Sequence, residues 1–198
     1  MAINRFKDYN ETKAYTDIKQ LPKGAYICKI LGAEVHENSN GQYVKLSCDV
    51  CEGEFANFFM DDWKAQQTED KKWHCNYLLN VPKDDGTEKD GWTKRRFKTV
   101  INAIEDSNPG FHFDWDEQKF KGKIIGGLFN LREYEDSQGN IKEATNLAQI
   151  TTTEAVKNGT CKIPADKKLS KSSSTVPADV PGFMVVNDSM EDEGLPFN

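Results

Sequence analysis

The chain has 198 residues, of which 37% are hydrophobic, and a net charge of −6 at pH 7. This length allows one domain with a sizeable core plus a tail, or two very small domains. The hydrophobic share is below the ~45–50% of typical globular chains, which indicates a folded body diluted by polar segments. No apolar run approaches the ~20 residues of a membrane-spanning helix, and the first residues, MAINRFKDYNETKAY, lack a signal-peptide pattern. We therefore expect a cytosolic protein with no membrane partner.

The charge is distributed unevenly along the chain. The last twelve residues carry −4, because they contain four acidic residues and no basic one, whereas residues 161–186 carry +2. That leaves −4 on residues 1–160. The body is thus not broadly basic, and any nucleic-acid site on it has to be a local patch.

Residues 1–20 predict a polar N-terminal arm, after which three strand-like runs follow in residues 21–60. The runs are AYICKILGAEVHE, QYVKLSCDV and FANFFM, separated by the turn sequences SNG and CEGE. Asn40-Gly41 between two alternating runs is a strong short-range signal for a β-hairpin. The segment therefore predicts an antiparallel meander.

Helical patterns replace this alternation in the middle of the chain. DDWKAQQTEDKKWHCNYLLN (61–80) predicts an interrupted helix that begins at Asp61 and Asp62. In WTKRRFKTVINAIEDSN (92–108), apolar residues recur at helical spacing, starting with Trp92 and Phe97, until Pro109-Gly110 ends the run. The strand pattern returns in GKIIGGLFNLREYED and, after the turn SQGN, in IKEATNLAQITTTEAV, which predicts a second hairpin.

The composition changes again after about Gly159. Residues 161–187 are rich in Lys, Ser, Pro and Ala and predict a disordered linker, and residues 188–198 form an acidic tip. The fold class we predict is mainly β with inserted helices: an OB-fold-like five-stranded antiparallel barrel over residues 21–160, followed by this linker and tail. Other small barrels and α+β sheets share the same order of elements and stay open as alternatives.

No enzyme motif stands out in the sequence. The patterns GxSxG, GxxxxGK[ST], HExxH and GxGxxG are absent, so we predict that the protein is not an enzyme and needs no cofactor. Cys48-x-x-Cys51 could supply two of four zinc ligands. Strand alternation would instead point these two thiols to opposite faces, and we favour free thiols and no metal.

Binding of a single-stranded nucleic acid is better supported. Such proteins combine cations that contact phosphates with aromatic rings on which bases stack. Two predicted strands each present an aromatic and a basic residue on the face opposite their apolar set, and one predicted helix presents a basic cluster. The candidate nucleic-acid-binding residues are Tyr43, Lys45, Arg132 and Tyr134 on the strands, with Arg95, Arg96 and Lys98 on the helix as second-rank phosphate contacts. For each residue alone, an ordinary amphipathic surface is the simpler interpretation; the repeated pairing favours binding.

The tip MEDEGLPFN resembles the C-terminal end of bacterial single-stranded DNA-binding proteins, in which an acidic cluster precedes a hydrophobic-Pro-Phe ending. The body segments LPKGAYICKILGAEV, NGQYVKLSCDV and GKIIGGLFNLREYEDSQGNIK are similar to those of phage- and prophage-encoded members. This resemblance implies an OB-fold that binds single-stranded DNA without sequence preference in the cytoplasm of a bacterial host. It also implies a tip that recruits replication and recombination proteins, through Asp188, Glu191, Asp192, Glu193, Leu195, Pro196 and Phe197.

One departure from that family concerns the last residue. In the bacterial proteins the phenylalanine is terminal, whereas here Asn198 follows Phe197, so the α-carboxylate is displaced by one residue.

Two alternative functions remain. One is a protein-protein adaptor without nucleic-acid binding, and the other, more remote, is a metal-dependent DNA-processing enzyme built on the acids near Asp61. The sequence leaves the oligomeric state open, with a homodimer as one alternative, and it does not distinguish DNA from RNA.

Overall fold

The structure, a computed structural model, describes Lys7, Tyr9, residues 20–136 and residues 138–169. Five antiparallel strands form one sheet: β1 (Gly24–Asn38), β2 (Gly41–Val50), β3 (Asn76–Asn80), β4 (Ile124–Glu135) and β5 (Ile141–Thr151). The described residues also form three α-helices, α1 (Phe58–Ala65), α2 (Glu88–Ser107) and α3 (Thr153–Lys157), and a short 3₁₀ turn (Glu117–Phe120). The prediction of a mainly β fold with inserted helices is confirmed.

The sheet has the strand order β3-β2-β1-β4-β5. The predicted hairpins are confirmed, since β1 pairs with β2 through Asn38↔Gly41 and β4 pairs with β5 through Glu135↔Ile141. Strand β1 also pairs with β4 along Gly24–Lys29. The edge strands β3 and β5 come within 8 Å of each other between Cα atoms, but they are not neighbours in a hydrogen-bonded ladder of the described chain.

The core lies on one side of this sheet and is closed by α2. From the strands it receives alternating apolar residues, such as Val44, Leu46 and Cys48 of β2, all at most 5% exposed. From α2 it receives a stripe at helical spacing, Phe97, Val100, Ile101 and Ile104. Helix α2 contacts β3, β4 and β5, so the predicted helix is confirmed, although it begins earlier, at Glu88 after the Thr87 cap.

The predicted third strand, FANFFM, is wrong: its residues lead into α1. Phe55, Phe58 and Phe59 follow the i, i+3, i+4 spacing of a helix, and Phe59 is buried. The buried carboxylate of Asp49 accepts hydrogen bonds from the backbone N–H groups of Phe59 (3.0 Å) and Met60 (3.1 Å). These bonds satisfy donors that a helix start leaves unpaired. Burial raises the pKa of Asp49, although those N–H groups oppose the shift.

The third strand comes later, within the stretch predicted as helical. Helix α1 ends at Ala65, and Asn76–Asn80 forms β3 against β2. Tyr77 and Leu79 are buried, whereas Leu78 between them is 38% exposed, so the strand alternates correctly but is too short to dominate the sequence pattern. None of the helices in the described part of the chain has the length and apolar character needed to cross a bilayer.

Two strand glycines give a matched test of this packing. A Cβ at Gly126 would lie 2.6 Å from the backbone oxygen of Thr152 and 2.7 Å from Cγ2 of Val156, whereas a Cβ at Gly32 would meet nothing within 4 Å. We expect Gly126→Ala to lower the free energy of unfolding by about 1–3 kcal/mol through overpacking. Gly32→Ala should change it by less than about 1 kcal/mol, in the stabilising direction. Urea unfolding of both variants checks this; equal stabilities would contradict the close approach at Gly126.

Candidate functional site

An outward-facing surface lies across β2 and β3, and we call it the outer β2–β3 face. Residues directly opposite each other in an antiparallel ladder point to the same side of the sheet. The register therefore groups Tyr43 with Asn80, Lys45 with Leu78 and Ser47 with Asn76. Of these residues, Ser47 and Asn76 are joined by a hydrogen bond of 3.0 Å from Oγ to Oδ1.

Strand β1 adds a second aromatic ring to this face. His36 is opposite Tyr43 in the ladder, and the two rings stack with centroids 5.5 Å apart at 17°. The Nε2 of His36 lies 3.2 Å from Oε2 of Glu34, which is itself opposite Lys45. Glu34 thus has a partner on its own strand, and within the described structure Lys45 forms no ion pair.

From Tyr43 to Cys48, burial separates the two sides of β2. Val44, Leu46 and Cys48 are at most 5% exposed, whereas Tyr43, Lys45 and Ser47 remain partly accessible. The sequence prediction that Tyr43 and Lys45 share the face opposite the core is consistent with this register. Alternation along β2 does not reveal Leu78 and His36, because their membership in the face depends on which strands become neighbours of β2.

The second predicted pair, Arg132 and Tyr134, lies elsewhere in the sheet. Tyr43 is opposite His36, near the end of β1, whereas the β1–β4 ladder begins with Gly24↔Phe129. Residues 132 and 134 lie past Phe129, outside the β1–β4 ladder, and are opposite Ala144 and Lys142 of β5. The two predicted pairs are thus at opposite ends of β1 rather than together.

Strand β1 pairs with β4 only as far as Gly24↔Phe129. Past Phe129, residues 165–169 of the same chain cover the edge of β4 that β1 leaves open. The backbone N–H of Lys167 donates to Leu131 O and that of Glu133 donates to Lys167 O, both at 2.9 Å. Asn130, 1% exposed, donates from Nδ2 to Ala165 O. The predicted linker (161–187) therefore begins with residues held against β4. A cleft of about 450 Å³ lies between residues 161–165 and the β4–β5 strands.

Asp166 anchors this added segment. Its Oδ1 accepts from the backbone N–H of Leu131 (3.0 Å), and its Oδ2 lies 2.8 Å from Nζ of Lys23, just before β1. The Lys23 ammonium, followed by the Leu131 N–H, lowers the pKa of the Asp166 carboxyl. The segment is thereby tied to both β1 and β4.

The basic cluster of α2 is exposed at Arg95, Arg96 and Lys98, as predicted. The Arg95 guanidinium lies 5.1 Å from the Trp92 ring centroid. The Arg96 guanidinium lies 5.8 Å from the Tyr77 ring, and its Nε and NH2 donate to the Tyr77 hydroxyl at 3.4 Å. The expectation that Trp92 joins the apolar stripe of the helix is wrong, because its side chain is 63% exposed.

The thiols and acids considered from the sequence show no metal-binding arrangement. All five cysteines are free, and burial raises the pKa of Cys48 to about 12. Asp62 contacts His74, with 2.7 Å between Oδ2 and Nδ1. Across residues 20–136 and 138–169, no group of three or more His, Cys, Asp or Glu side chains is arranged to hold a metal ion.

The predicted partner-binding residues of the tip, Asp188 to Phe197, lie outside the described residues, as does nearly all of the predicted N-terminal arm.

A comparison with known protein families found no family model that matches the chain, and a comparison with curated proteins found no match.

The anchoring role of Asp166 can be tested by amide hydrogen exchange. Asp166→Ala should accelerate exchange at Leu131, which loses its acceptor, and at Glu133, whose acceptor is the next residue, Lys167. Because the pKa of Asp166 is lowered in the folded state, its contribution to stability is fully present above its unfolded-state pKa. That contribution is lost as pH falls through the lower folded-state pKa. Exchange should stay unchanged at Gly127, which lies inside the β1–β4 ladder. Unchanged exchange at Leu131 and Glu133 would show that Asp166 does not hold the segment.

Proposed function

We propose that the protein binds single-stranded DNA, without sequence preference, on the outer β2–β3 face. The observation that carries this proposal is the combination on that face of the Tyr43–His36 ring stack with Lys45, which forms no ion pair within the described structure. A ring offers a stacking surface to any base, and a lysine ammonium contacts any phosphate. Neither interaction reads the base sequence.

A more specific description of the open sheet would support the same function. We propose that the sheet is an OB-fold barrel opened between its edge strands. Joining β3 to β5, whose Cα atoms already come within 8 Å, would turn the order β3-β2-β1-β4-β5 into a closed five-stranded barrel. The face formed by strands 2 and 3 is the side on which OB-folds bind oligonucleotides. The outer β2–β3 face is the corresponding surface here.

We further propose that the acidic tip recruits replication or recombination proteins of a phage or prophage in the host cytoplasm. Its four acids would be attracted to basic grooves on partner enzymes, and Leu195, Pro196 and Phe197 would fill a small apolar pocket. The net charge of −4 on residues 1–160 favours the alternative of an adaptor that does not bind nucleic acid. Titration of labelled oligo-dT at two salt concentrations distinguishes the two, since only the first predicts tight binding that weakens steeply with salt.

Tyrosine variants test the binding face. Tyr43→Ala should weaken oligo-dT affinity by about 1–3 kcal/mol, the contribution of one stacked base. Tyr134 lies at the other end of β1 from Tyr43, so the double variant with Tyr134→Ala should lose about 2–6 kcal/mol in total only with a strand long enough to reach both rings. Fluorescence anisotropy measures these changes, and Tyr43→Phe, which keeps the ring, is the matched control. Thermal stability should barely change. A folded Tyr43→Ala variant with wild-type affinity would remove this residue from the site.

Deleting residues 188–198 tests the tip. If the acids compete with DNA for the protein's own basic groups, the truncated protein should bind oligo-dT more tightly at low salt. The gain should shrink near physiological ionic strength, where the Debye length is about 8 Å. Phe197→Ala should retain this competition and lose partner proteins in affinity capture, because only the ring fills a pocket. Truncation that changes neither DNA affinity nor partner capture would leave the tip with a solubilising role alone.

A further inference from the structure

Trp92 is an exposed aromatic ring that the core does not use. It lies in the first turns of α2 and is 63% exposed, although the helical spacing of the apolar residues predicts that it packs with Phe97. An indole left in water forgoes a large favourable burial, since an aromatic side chain covers about 150–250 Å² when it is buried. Exposure alone does not mark a ligand site, because single apolar side chains are common on protein surfaces; the groups around the ring decide its role.

The ring is held in place by a cation rather than by a packed core. The Arg95 guanidinium lies 5.1 Å from its centroid, within the range of a cation–π contact. The next residue, Arg96, lies over Tyr77 of β3. Among the described residues, Arg95 and Arg96 have these aromatic partners and no carboxylate partner, so their positive charges are not neutralised by an acid.

Tyr77 faces the core side of β3, opposite Leu46, so this arrangement lies across the β3 edge from the outer β2–β3 face. Arg96 contacts Tyr77 near the start of β3, and the loop after β3 meets the first turn of α2, where Asp90 Oδ1 accepts from the Lys83 N–H at 2.8 Å. Helix α2 therefore runs back along β3. Trp92, one turn before Arg96 on the same side of the helix, lies toward the Asn80 end of β3, and Asn80 is opposite Tyr43.

We propose that Trp92 and Arg95 form a second base-stacking and phosphate-binding position, which extends the path of a single-stranded nucleic acid from the outer β2–β3 face across the β3 edge onto α2. This inference rests on the proposed function and adds a contact needed only by longer strands. Arg95 and Arg96 would neutralise phosphates, and the accessible part of the indole would stack on a base.

The local charge favours a nucleic acid over a protein partner at Trp92. The contrast is Trp115, which is 76% exposed and stacks on Phe97 with centroids 6.0 Å apart at 11°. Asp114 and Asp116 flank Trp115 in the sequence, and Lys119 is paired with Asp114. Exposure of an indole is therefore common to both sites. Beside Trp92 lie Glu88, one turn before it, and two arginines that have no carboxylate partner among the described residues, whereas acids flank Trp115 on both sides.

The test compares alanine variants of three tryptophans in the full chain. Labelled oligo-dT of increasing length, from about 4 to about 16 nucleotides, covers the range that one OB-fold contacts. Trp92→Ala should bind the shortest strands like the wild type and lose about 5- to 150-fold in affinity for longer ones, the effect of one stacked base. Trp92→Phe should recover most of that affinity, because a smaller ring remains.

Two matched controls isolate the role of Trp92. Trp63 also has a cation over its ring, Lys71 at 5.0 Å, but lies on α1, and Trp115 lies in acidic surroundings; alanine at either should leave affinity unchanged at every length. The proposal is overturned if Trp92→Ala binds oligo-dT of every length with wild-type affinity. A variant that keeps this affinity and loses only a captured protein partner overturns it as well. It is also overturned if a control variant loses as much as Trp92→Ala. A wild-type protein that binds no strand of any length would instead refute the proposed function, and this inference with it.

Discussion

The register of β2 between its two neighbours is the constraint on which the candidate site depends. β2 pairs with β1 on one side and β3 on the other, and from Tyr43 to Cys48 its side chains alternate between core and surface. A slip of one residue would exchange the two sets, bringing Tyr43 and Lys45 into the core and exposing Val44 and Leu46. Burial of Val44, Leu46, Cys48 and Val50 therefore holds the polar face in position, and the site depends on core packing rather than on contacts of its own.

The strongly patterned parts of this fold could be predicted from the sequence. Asn40-Gly41 between alternating runs indicated the first hairpin, and the apolar stripe of residues 97–104 indicated α2. The region between them could not be predicted correctly, for two physical reasons. The start of α1 is stabilised by the Asp49 carboxylate from a neighbouring strand, which is a tertiary contact. β3 has only five residues, so its alternation is brief and its identity depends on pairing with β2.

The candidate site was likewise predictable only in part. Alternation along β2 was enough to choose Tyr43 and Lys45, because one strand decides which of its own residues share a face. His36 and Leu78 join them through ladder partners, which a single strand does not reveal. Helical spacing alone assigns Trp92 to the core, because it cannot distinguish the border of an apolar stripe from its centre. Alternation within β4 places Arg132 and Tyr134 on one face of that strand but does not show that β1 separates them from Tyr43.

Charge pairing explains how an acidic body can keep a local cationic surface. Several lysines are bound to neighbouring acids: Lys94 to Asp84 and Asp90, Lys119 to Asp114, and Lys142 to Asp136. Lys45, Arg95 and Arg96 have no such partner within the described chain.

The most direct test of binding on the outer β2–β3 face is photo-cross-linking of iodouracil-substituted oligo-dT to the full-length protein, followed by mass-spectrometric mapping of the linked peptides. Binding on the outer β2–β3 face predicts cross-links in β2, at or beside Tyr43. Cross-links confined to β4, β5 or α1, or none under conditions of saturating binding, would contradict it.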